Sequence, residues 1–247
     1  PPAPSCTAAS TTATTAVFSF SPTSNDNGAA VTDYEADLDG SNAGQSIGMG
    51  PSYSWTGLTA GSTHTFRVRA VNSVGEGLWS PPAVCLTSPL PPSTPGVPAC
   101  STTTASSIII TYAEPAMNGA PSTQWDVRID GGTPIAHDTT LSFGQGGFTF
   151  DTNYVFEVRV SNSAGQSNWS GPRTCRTDPI EPATPAPPVC GTITSSTIPI
   201  TWAAPTNNGS PVTMYNVDLN GGSTTSSGDA DHVWASLTFN TPYTMRV

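Results

Sequence analysis

Residues 27–40 read NGAAVTDYEADLDG, and the same plan returns at residues 118–131 (NGAPSTQWDVRIDG) and at residues 208–221 (NGSPVTMYNVDLNG). The three Asn-Gly pairs recur about every 90 residues, which is the signature of an internal repeat. After each pair, apolar and polar residues alternate, as expected for a strand with one buried face. A second Gly-containing turn closes each stretch, so a turn–strand–turn unit is predicted three times.

Matching residues flank each of these units. Upstream, a second alternating strand ends in an aromatic residue: Phe20, Tyr112 or Trp202. The recurrence predicts three all-β repeats, at residues 1–89, 90–179 and 180–247, with the third ending in its sixth strand. Proline-rich segments around residues 89–95 and 179–185 join them, and we expect these linkers to be extended and semi-rigid because proline fixes φ and lacks an amide donor.

Residues 58–75, LTAGSTHTFRVRAVNSVG, carry the most specific pattern. This stretch resembles the passage from strand E to strand G of fibronectin type III domains, and the resemblance extends over essentially the whole chain. It implies immunoglobulin-like Greek-key sandwiches in which strands A, B and E face strands C, C′, F and G. His64 stands where the family's corner tyrosine is expected, so an imidazole either holds that corner or the corner is missing. Pro199 lies within a strand of the third repeat and predicts a local bulge.

The composition excludes several classes of partner. The net charge is −10, and all seven cationic side chains are arginine, so nucleic acid is not expected as a partner. No apolar run reaches the roughly 18 residues of a membrane helix, and no membrane insertion of this segment is expected. No cofactor-binding motif is present, and we expect no cofactor.

The five cysteines alternate long and short gaps along the sequence: Cys6, Cys85, Cys100, Cys175 and Cys190. In a fibronectin type III sandwich, the first cysteine of each repeat would lie on strand A and the second on strand G. The resemblance therefore implies disulfides Cys6–Cys85 and Cys100–Cys175, with Cys190 unpaired in this segment. The alternative, Cys85–Cys100 and Cys175–Cys190 across the linkers, would leave Cys6 odd instead; the pairing within each repeat is favoured because it applies one rule to every repeat. Closing each long loop is worth about 4.5 kcal/mol in the chain-entropy model, and disulfides imply an oxidising compartment.

Two surface patterns carry alternative interpretations. Trp79 and Trp169 follow the sixth strand at the same offset, and we expect them to stack on Arg69 and Arg159; a sugar-binding tryptophan is the less favoured alternative. An acidic stripe runs along one strand of the first repeat, with all four carboxylates expected to point outward: Asp33, Glu35, Asp37 and Asp39. Calcium is one interpretation, but pairing with Arg67 and Arg69 on the neighbouring strand explains the stripe without a metal.

Motifs for catalysis and modification are sparse. His64 belongs to a structural corner, while His137 and His232 fall in loops of different repeats without a nucleophile or metal motif, so no enzyme is expected. Asn168 begins the Asn-x-Ser/Thr sequon Asn168-Trp169-Ser170 and is a candidate glycosylation site. No Arg-Gly-Asp triplet occurs in the chain.

These features favour a secreted or cell-surface protein that is structural or adhesive rather than catalytic. Its repeats would act as a spacer or as the building block of a filament or surface assembly. The expected partners are other subunits or repeats of the same array, and carbohydrate as a second class. The alternative is an accessory region of a secreted polysaccharide-degrading enzyme, because fibronectin type III-like modules serve there as spacers.

Overall fold

The computed structural model describes residues 1–6, 11–222 and 224–247. In this part of the chain every regular element is a β-strand, and all paired strands with a defined register are antiparallel. The chain divides into two units. Unit 1 comprises Pro1–Pro98, Tyr112–Leu141 and Phe156–Pro172, and unit 2 comprises Ala99–Thr111, Ser142–Val155 and Arg173–Val247.

The first repeat lies wholly in unit 1 and forms two sheets. The smaller sheet has the order β1-β2-β5, from β1 (Ser5–Cys6), β2 (Thr15–Ser19) and β5 (Ser52–Thr56). The larger has the order β4-β3-β6-β7, with β8 also against β6, from β3 (Val31–Leu38), β4 (Gln45–Ser46), β6 (Thr63–Asn72), β7 (Gly75–Glu76) and β8 (Ala83–Leu86). This is the arrangement of A, B and E opposite C′, C, F and G that the family resemblance implies.

Alternating side chains of these two sheets form one core. Phe18 of β2 stacks on Phe66 of β6 with ring centroids 5.1 Å apart, and Phe20 packs 4.9 Å from Tyr34 of β3. Burying each such side chain contributes about 1.5–3 kcal/mol. Because side chains alternate along β6, the burial of Phe66 and Val68 turns their neighbours to the outer face.

The remainder of unit 1 is a sheet from the second repeat. Its order is β12-β11-β14-β15, from β11 (Gln124–Ile129), β12 (Ile135–His137), β14 (Asn153–Asn162) and β15 (Gly165–Gln166). Trp125 lies opposite Val160 and is fully buried. Its ring packs 4.5 Å from that of Tyr112. Residues 153–155 of β14 belong to unit 2.

Unit 2 holds the other strands of the second repeat and all of residues 180–247. One sheet has the order β13-β10-β9, from β9 (Ala99–Thr103), β10 (Ser107–Thr111) and β13 (Ser142–Gly146), and β16 (Arg173–Arg176) pairs with β14. The third repeat forms two further sheets with the orders β17-β18-β21 and β20-β19-β22. Their strands are β17 (Val189–Cys190), β18 (Ile198–Thr201), β19 (Tyr215–Leu219), β20 (Thr224–Ser227), β21 (Asp231–Trp234) and β22 (Met245–Arg246). Their core contains Ile200, Trp202 and Val217.

The bulge predicted at Pro199 is wrong. The register between β18 and β21 runs without interruption through Pro199 opposite Val233. On the other side of β18, β17 pairs at two residues, as β1 does with β2 in the first repeat, and the Gly191 amide donates to the Pro199 carbonyl at 2.8 Å. The strand therefore accommodates the missing amide of Pro199 without a register shift.

The Asn-Gly turns adopt the conformation that their sequence predicts. Asn27, Asn118 and Asn208 have φ of 52°, 51° and 48°, and the following glycines have φ of 86°, 95° and 94°. Asparagine and glycine are the residues that enter this left-handed region with least strain. The turn prediction is confirmed in all three repeats.

A buried threonine closes the corner before the sixth strand, and sequence reasoning missed it. Thr87 is almost fully buried; its hydroxyl donates to the Thr59 carbonyl at 2.6 Å and accepts from the Ser62 amide at 2.9 Å. Thr177 makes the equivalent bonds to Thr149 and Thr152. The available signal was its fixed position two residues after the second cysteine of each repeat.

We predict that Thr87→Val destabilises the first repeat by about 1–3 kcal/mol, because the Thr59 carbonyl and the Ser62 amide lose the hydroxyl of the buried Thr87 as their hydrogen-bond partner. Hydrogen exchange of the β6 amides measures the loss. Thr87→Ser, which keeps the hydroxyl, is the control and should stay within about 1 kcal/mol of the parent. Equal protection in the Val variant and the parent would contradict the role of this hydroxyl.

Candidate functional site

The outer face of β3 and β6 carries opposite charges in register. Asp37 lies opposite Arg67, and Glu35 lies opposite Arg69. The Arg67 Nε donates to Asp37 Oδ2 at 3.0 Å, and the Arg69 Nε donates to Glu35 Oε2 at 2.7 Å. Trp79 lies over both guanidinium groups, with its ring centre 5.4 Å from the Cζ of Arg67 and 4.4 Å from that of Arg69.

The second repeat keeps this face but reverses one pair. Arg128 of β11 lies opposite Glu157 of β14, and its Nε donates to Glu157 Oε2 at 2.7 Å. The other pair keeps its polarity, since Arg159 donates to Asp126 at 2.9 Å. Trp169 again lies over the two arginines, with ring-to-Cζ distances of 4.5 Å and 4.6 Å.

The expected tryptophan–arginine stacking is therefore confirmed in both repeats. Each indole is half-buried, and each has two guanidinium groups against its ring. A sugar would need the same ring surface to stack, so the geometry favours packing over carbohydrate binding at Trp79 and Trp169.

The acidic stripe is not uniformly exposed, which corrects the expectation that its four carboxylates point outward together. Asp37 is fully buried. Burial alone would raise the pKa of Asp37, but hydrogen bonds from Arg67, Ser41 and the Asn42 amide outweigh it and hold that pKa below its ordinary value of 3.8. Within residues 1–6, 11–222 and 224–247, no group of three His, Cys, Asp or Glu side chains is arranged to hold a metal ion.

We predict that Asp37→Asn destabilises the first repeat by about 1.5–3 kcal/mol at pH 7, because a charged hydrogen bond to Arg67 is lost. A lowered native pKa contributes stability above the ordinary value of 3.8, and that contribution is lost as the pH falls through the native value. The deficit of the variant should therefore shrink below that pH in acid unfolding curves.

Glu76→Gln is the matched control, because Glu76 pairs with Arg69 from a side chain that is 53% exposed. Such pairs contribute about 0–1 kcal/mol. An Asp37→Asn deficit that stays constant from pH 7 to about pH 2 would contradict the assignment to this carboxylate.

The cysteines lie in two close pairs. Cys6 is joined to Cys85 in unit 1 with Cα atoms 5.5 Å apart, and Cys100 is joined to Cys175 in unit 2 with Cα atoms 5.8 Å apart. Cys190 is exposed and has no disulfide partner among the described residues. Both bridges join the first strand of a repeat to its last.

We predict that non-reducing peptide mapping recovers Cys6 linked to Cys85 and Cys100 linked to Cys175, with Cys190 open to alkylation. The reason is geometric, since both Cα separations lie in the range that a disulfide requires. Mapping after denaturation in alkylating agent prevents exchange. A Cys85–Cys100 peptide would contradict this pairing.

The corner position differs between the first repeat and the other two. The Tyr154 and Tyr243 hydroxyls accept the amides of Thr149 and Thr238 at 3.0 Å and 2.9 Å. His64 instead places Nδ1 2.8 Å from Asp39, and its buried Nε2 has no hydrogen-bond partner among the described residues. The imidazole fills the corner without making the bond of the tyrosine.

The other candidate residues stay apart. His137 ends β12 and His232 lies within β21, so the prediction that both fall in loops is wrong. His137 Nδ1 lies 2.9 Å from Asp138 Oδ1, and the His232 ring packs edge-on 4.6 Å from that of Trp234. The histidines thus have separate local partners rather than a shared site. Asn168 is exposed, so its position is compatible with a glycan and the sequon stays a prediction.

The linker after the first repeat is bonded to the Asn-Gly turn of the second. In unit 1, the Leu90 amide donates to the Asn118 carbonyl at 3.0 Å, and the Ser93 amide donates to the Ala116 carbonyl at 2.9 Å. These bonds align the linker with the loop before β11. The proline-rich segment is therefore docked rather than freely hinged.

Two asparagine side chains complete the docking. Asn118 Nδ2 donates to the Pro91 carbonyl at 2.7 Å. Asn162, on the hairpin after β14, donates to the Leu90 carbonyl at 2.8 Å and to the Met117 carbonyl at 2.9 Å. Donors and acceptors of the linker backbone are thus both used.

The second linker repeats the arrangement within unit 2. The Ile180 amide donates to the Asn208 carbonyl at 3.3 Å, and the Ala183 amide donates to the Thr206 carbonyl at 3.0 Å. Asn208 Nδ2 donates to the Glu181 carbonyl at 2.6 Å. Sequence reasoning assigned these asparagines to turns alone and missed their bonds to the linkers.

A close approach at a glycine accompanies each linker. In unit 1, a Cβ added at Gly61 would clash with the backbone of Gly119. In unit 2, a Cβ added at Gly209 would clash with the side chain of Asp151. Each Asn-Gly turn of the second and third repeats is thus held by the linker on one side and by the preceding corner on another.

Paired sheets of this topology, joined by docked linkers, define a protein of tandem Greek-key β-sandwiches. A family model described as Fibronectin type III domain matches residues 1–85. The chain contains fibronectin type III domains in tandem.

Relatives include Exoglucanase B of Cellulomonas fimi, 31% identical over 78% of this chain and 19% of that protein. Human Fibronectin type-III domain-containing protein 3A is 25% identical over 66% of this chain and 15% of that protein, and human Usherin is 27% identical over 67% and 3%. The chain thus spans less than a fifth of each relative. The crystal structure of chicken CNTN1 FN1-FN3 domains aligns with 99% of this chain and 92% of that one, at 16% identity and a TM-score of 0.48, which is too low to define a shared domain arrangement.

Proposed function

We propose that this chain is a non-catalytic spacer, whose sandwiches are held in a defined order by linkers that dock on the repeat that follows. The observation that carries the proposal is the use of the linker's own amides and carbonyls in bonds to the next Asn-Gly turn. A flexible tether would leave these groups to water.

The proposed mechanism is mechanical. The first repeat buries its own aromatic core, and disulfides between first and last strands would restrict its unfolding. Docked linkers would then limit motion at the joints, where loosely connected domains otherwise move freely. We propose a secreted or cell-surface location, because disulfides persist in oxidising compartments.

The wider assembly is a second step of the proposal. The chain would have a structural or adhesive role as a building block of a filament or surface assembly. Its partners would then be other subunits or repeats of the same array. Exposed sheet edges would offer backbone groups for lateral contacts. Asn168 would carry a glycan if the protein passes through a glycosylating pathway.

A second context is an accessory region of a secreted polysaccharide-degrading enzyme. The similarity to Exoglucanase B favours it, since that match covers 78% of this chain. Spacing would be the same in both contexts. The complete reading frame separates them: a catalytic domain beside this segment supports the enzyme, and further repeats without one support the structural array.

Asn118→Asp tests the docked linker. The change removes the amide donor and turns a carboxylate toward the Pro91 carbonyl, while aspartate still tolerates the positive φ of this turn. The Leu90 and Ser93 amides should exchange about three- to tenfold faster, as expected when one hydrogen bond is lost. Residue-resolved NMR hydrogen exchange measures both amides.

Asn27→Asp is the matched control, because it makes the same change in the first repeat and leaves this linker untouched. Its Leu90 and Ser93 amides should exchange at the parent rate. Unchanged exchange in the Asn118→Asp variant would overturn the docking that supports the spacer proposal.

A further inference from the structure

The first repeat has a groove at the position where the second repeat binds its linker. The groove has a volume of about 290 Å³ and is lined by the Asn27 turn and the hairpin between β6 and β7, including Ala70, Asn72 and Gly75. Polar and apolar atoms both line it. It lies away from the disulfide and borders the charged face at Glu76, which pairs with Arg69.

The two asparagines of this groove match the two that bind the linker in the second repeat. Asn162 accepts the Ala164 and Gly165 amides at 2.9 Å and 3.2 Å through Oδ1. Asn72 accepts the Val74 and Gly75 amides at the same distances. The hairpin therefore presents the same side-chain amide in both repeats.

The two side-chain amides differ in their acceptors, because only Asn162 donates to a linker carbonyl. Asn162 Nδ2 bonds to the Leu90 carbonyl at 2.8 Å. Among the described residues, Asn72 Nδ2 donates to carbonyls beside the Asn27 turn, Asp26 at 3.3 Å and Ala29 at 3.2 Å. The Asn27 side-chain amide, which corresponds to the Asn118 donor, has no hydrogen-bond partner among the described residues.

The two docked linkers define what such a groove accepts. They read Leu90-Pro91-Pro92 and Ile180-Glu181-Pro182, an aliphatic residue followed by any residue and then proline. Both aliphatic residues are exposed in part, with 42% and 40% of their surface accessible. The shared chemistry is an aliphatic side chain and a carbonyl just ahead of proline.

We propose that the groove beside Asn27 and Asn72 is a docking site for an extended aliphatic–x–Pro segment. Pro1 aligns with Pro95 and Pro185 when the repeats are superimposed on their first cysteines, so a segment joined ahead of Pro1 would reach the groove with its aliphatic residue ten positions before Cys6, as Leu90 and Ile180 precede Cys100 and Cys190. Its two carbonyls accept from Asn72 and Asn27. The bond from Asn72 to Ala29 is exchanged for one to the segment.

The test extends the full chain by Ser-Pro-Leu-Pro-Pro-Ser-Thr ahead of Pro1, which copies residues 88–94. The expected result is slower hydrogen exchange of the Asn27 and Asn72 side-chain amides by about three- to tenfold. The unfolding midpoint of the first repeat, followed by NMR signals of β6, should rise by roughly 4–8 °C. An extension with serine in place of leucine should produce a smaller rise.

Asn27→Asp in the extended chain should abolish most of the gain, and the same substitution without the extension supplies its baseline. Unchanged exchange at both asparagines on extension would overturn the docking site. An equal effect of the serine extension would overturn its preference for an aliphatic residue. The inference rests on the linker docking of the proposed function, but its readouts lie in the first repeat, so it can fail while the Leu90 and Ser93 amides still respond to Asn118→Asp.

Discussion

The tandem arrangement depends on one constraint: the backbone amides and carbonyls of a proline-rich linker need hydrogen-bond partners. Proline supplies a carbonyl but no amide donor, so the linker is rich in acceptors and poor in donors. Its available amides at Leu90 and Ser93 bond to carbonyls of the following loop. Its carbonyls need hydrogen-bond donors, which the backbone of the following loop does not supply. The side-chain amides of Asn118 and Asn162 supply them. A rigid joint therefore needs asparagine on the receiving repeat as much as proline in the linker.

Asparagine is suited to this position because it meets two requirements at once. Asn118 and Asn208 adopt positive φ, which glycine would satisfy more easily. Glycine would have no side-chain donor for the linker carbonyl. Aspartate would tolerate the turn but would present an acceptor to another acceptor. The turn residue thus couples the local backbone of one repeat to the chain that precedes it.

The sequence could predict whatever depends on period and local turn chemistry. Alternation located the strands around Phe66 and Trp125, and the Asn-Gly pairs marked turns that the structure confirms. It could not predict that Asn118 binds Pro91, because Asn27 occupies an identical local pattern without this bond. The burial of Asp37 was equally hidden, since strand alternation places it on the outer face and only the overlying Arg67 and Ser41 remove it from water. Thr87 could be found in the sequence only through its position two residues after Cys85, which Thr177 repeats after Cys175, and its bonds to the corner are visible only in the fold.

The charged face shows why the repeats conserve geometry more than residues within this chain. Asp37 and Arg67 of the first repeat correspond to Arg128 and Glu157 of the second, so the charges have exchanged strands. Cross-strand attraction does not depend on which strand carries the cation. The indole needs guanidinium groups near its ring, and either strand can supply them, as Trp79 and Trp169 show. A sequence comparison that looks for the same residue in each repeat misses this equivalence. The linker-binding asparagines cannot be replaced in this way, because a linker carbonyl is an acceptor and needs a hydrogen-bond donor opposite it. The junctions therefore constrain residue identity more tightly than the sheet faces do.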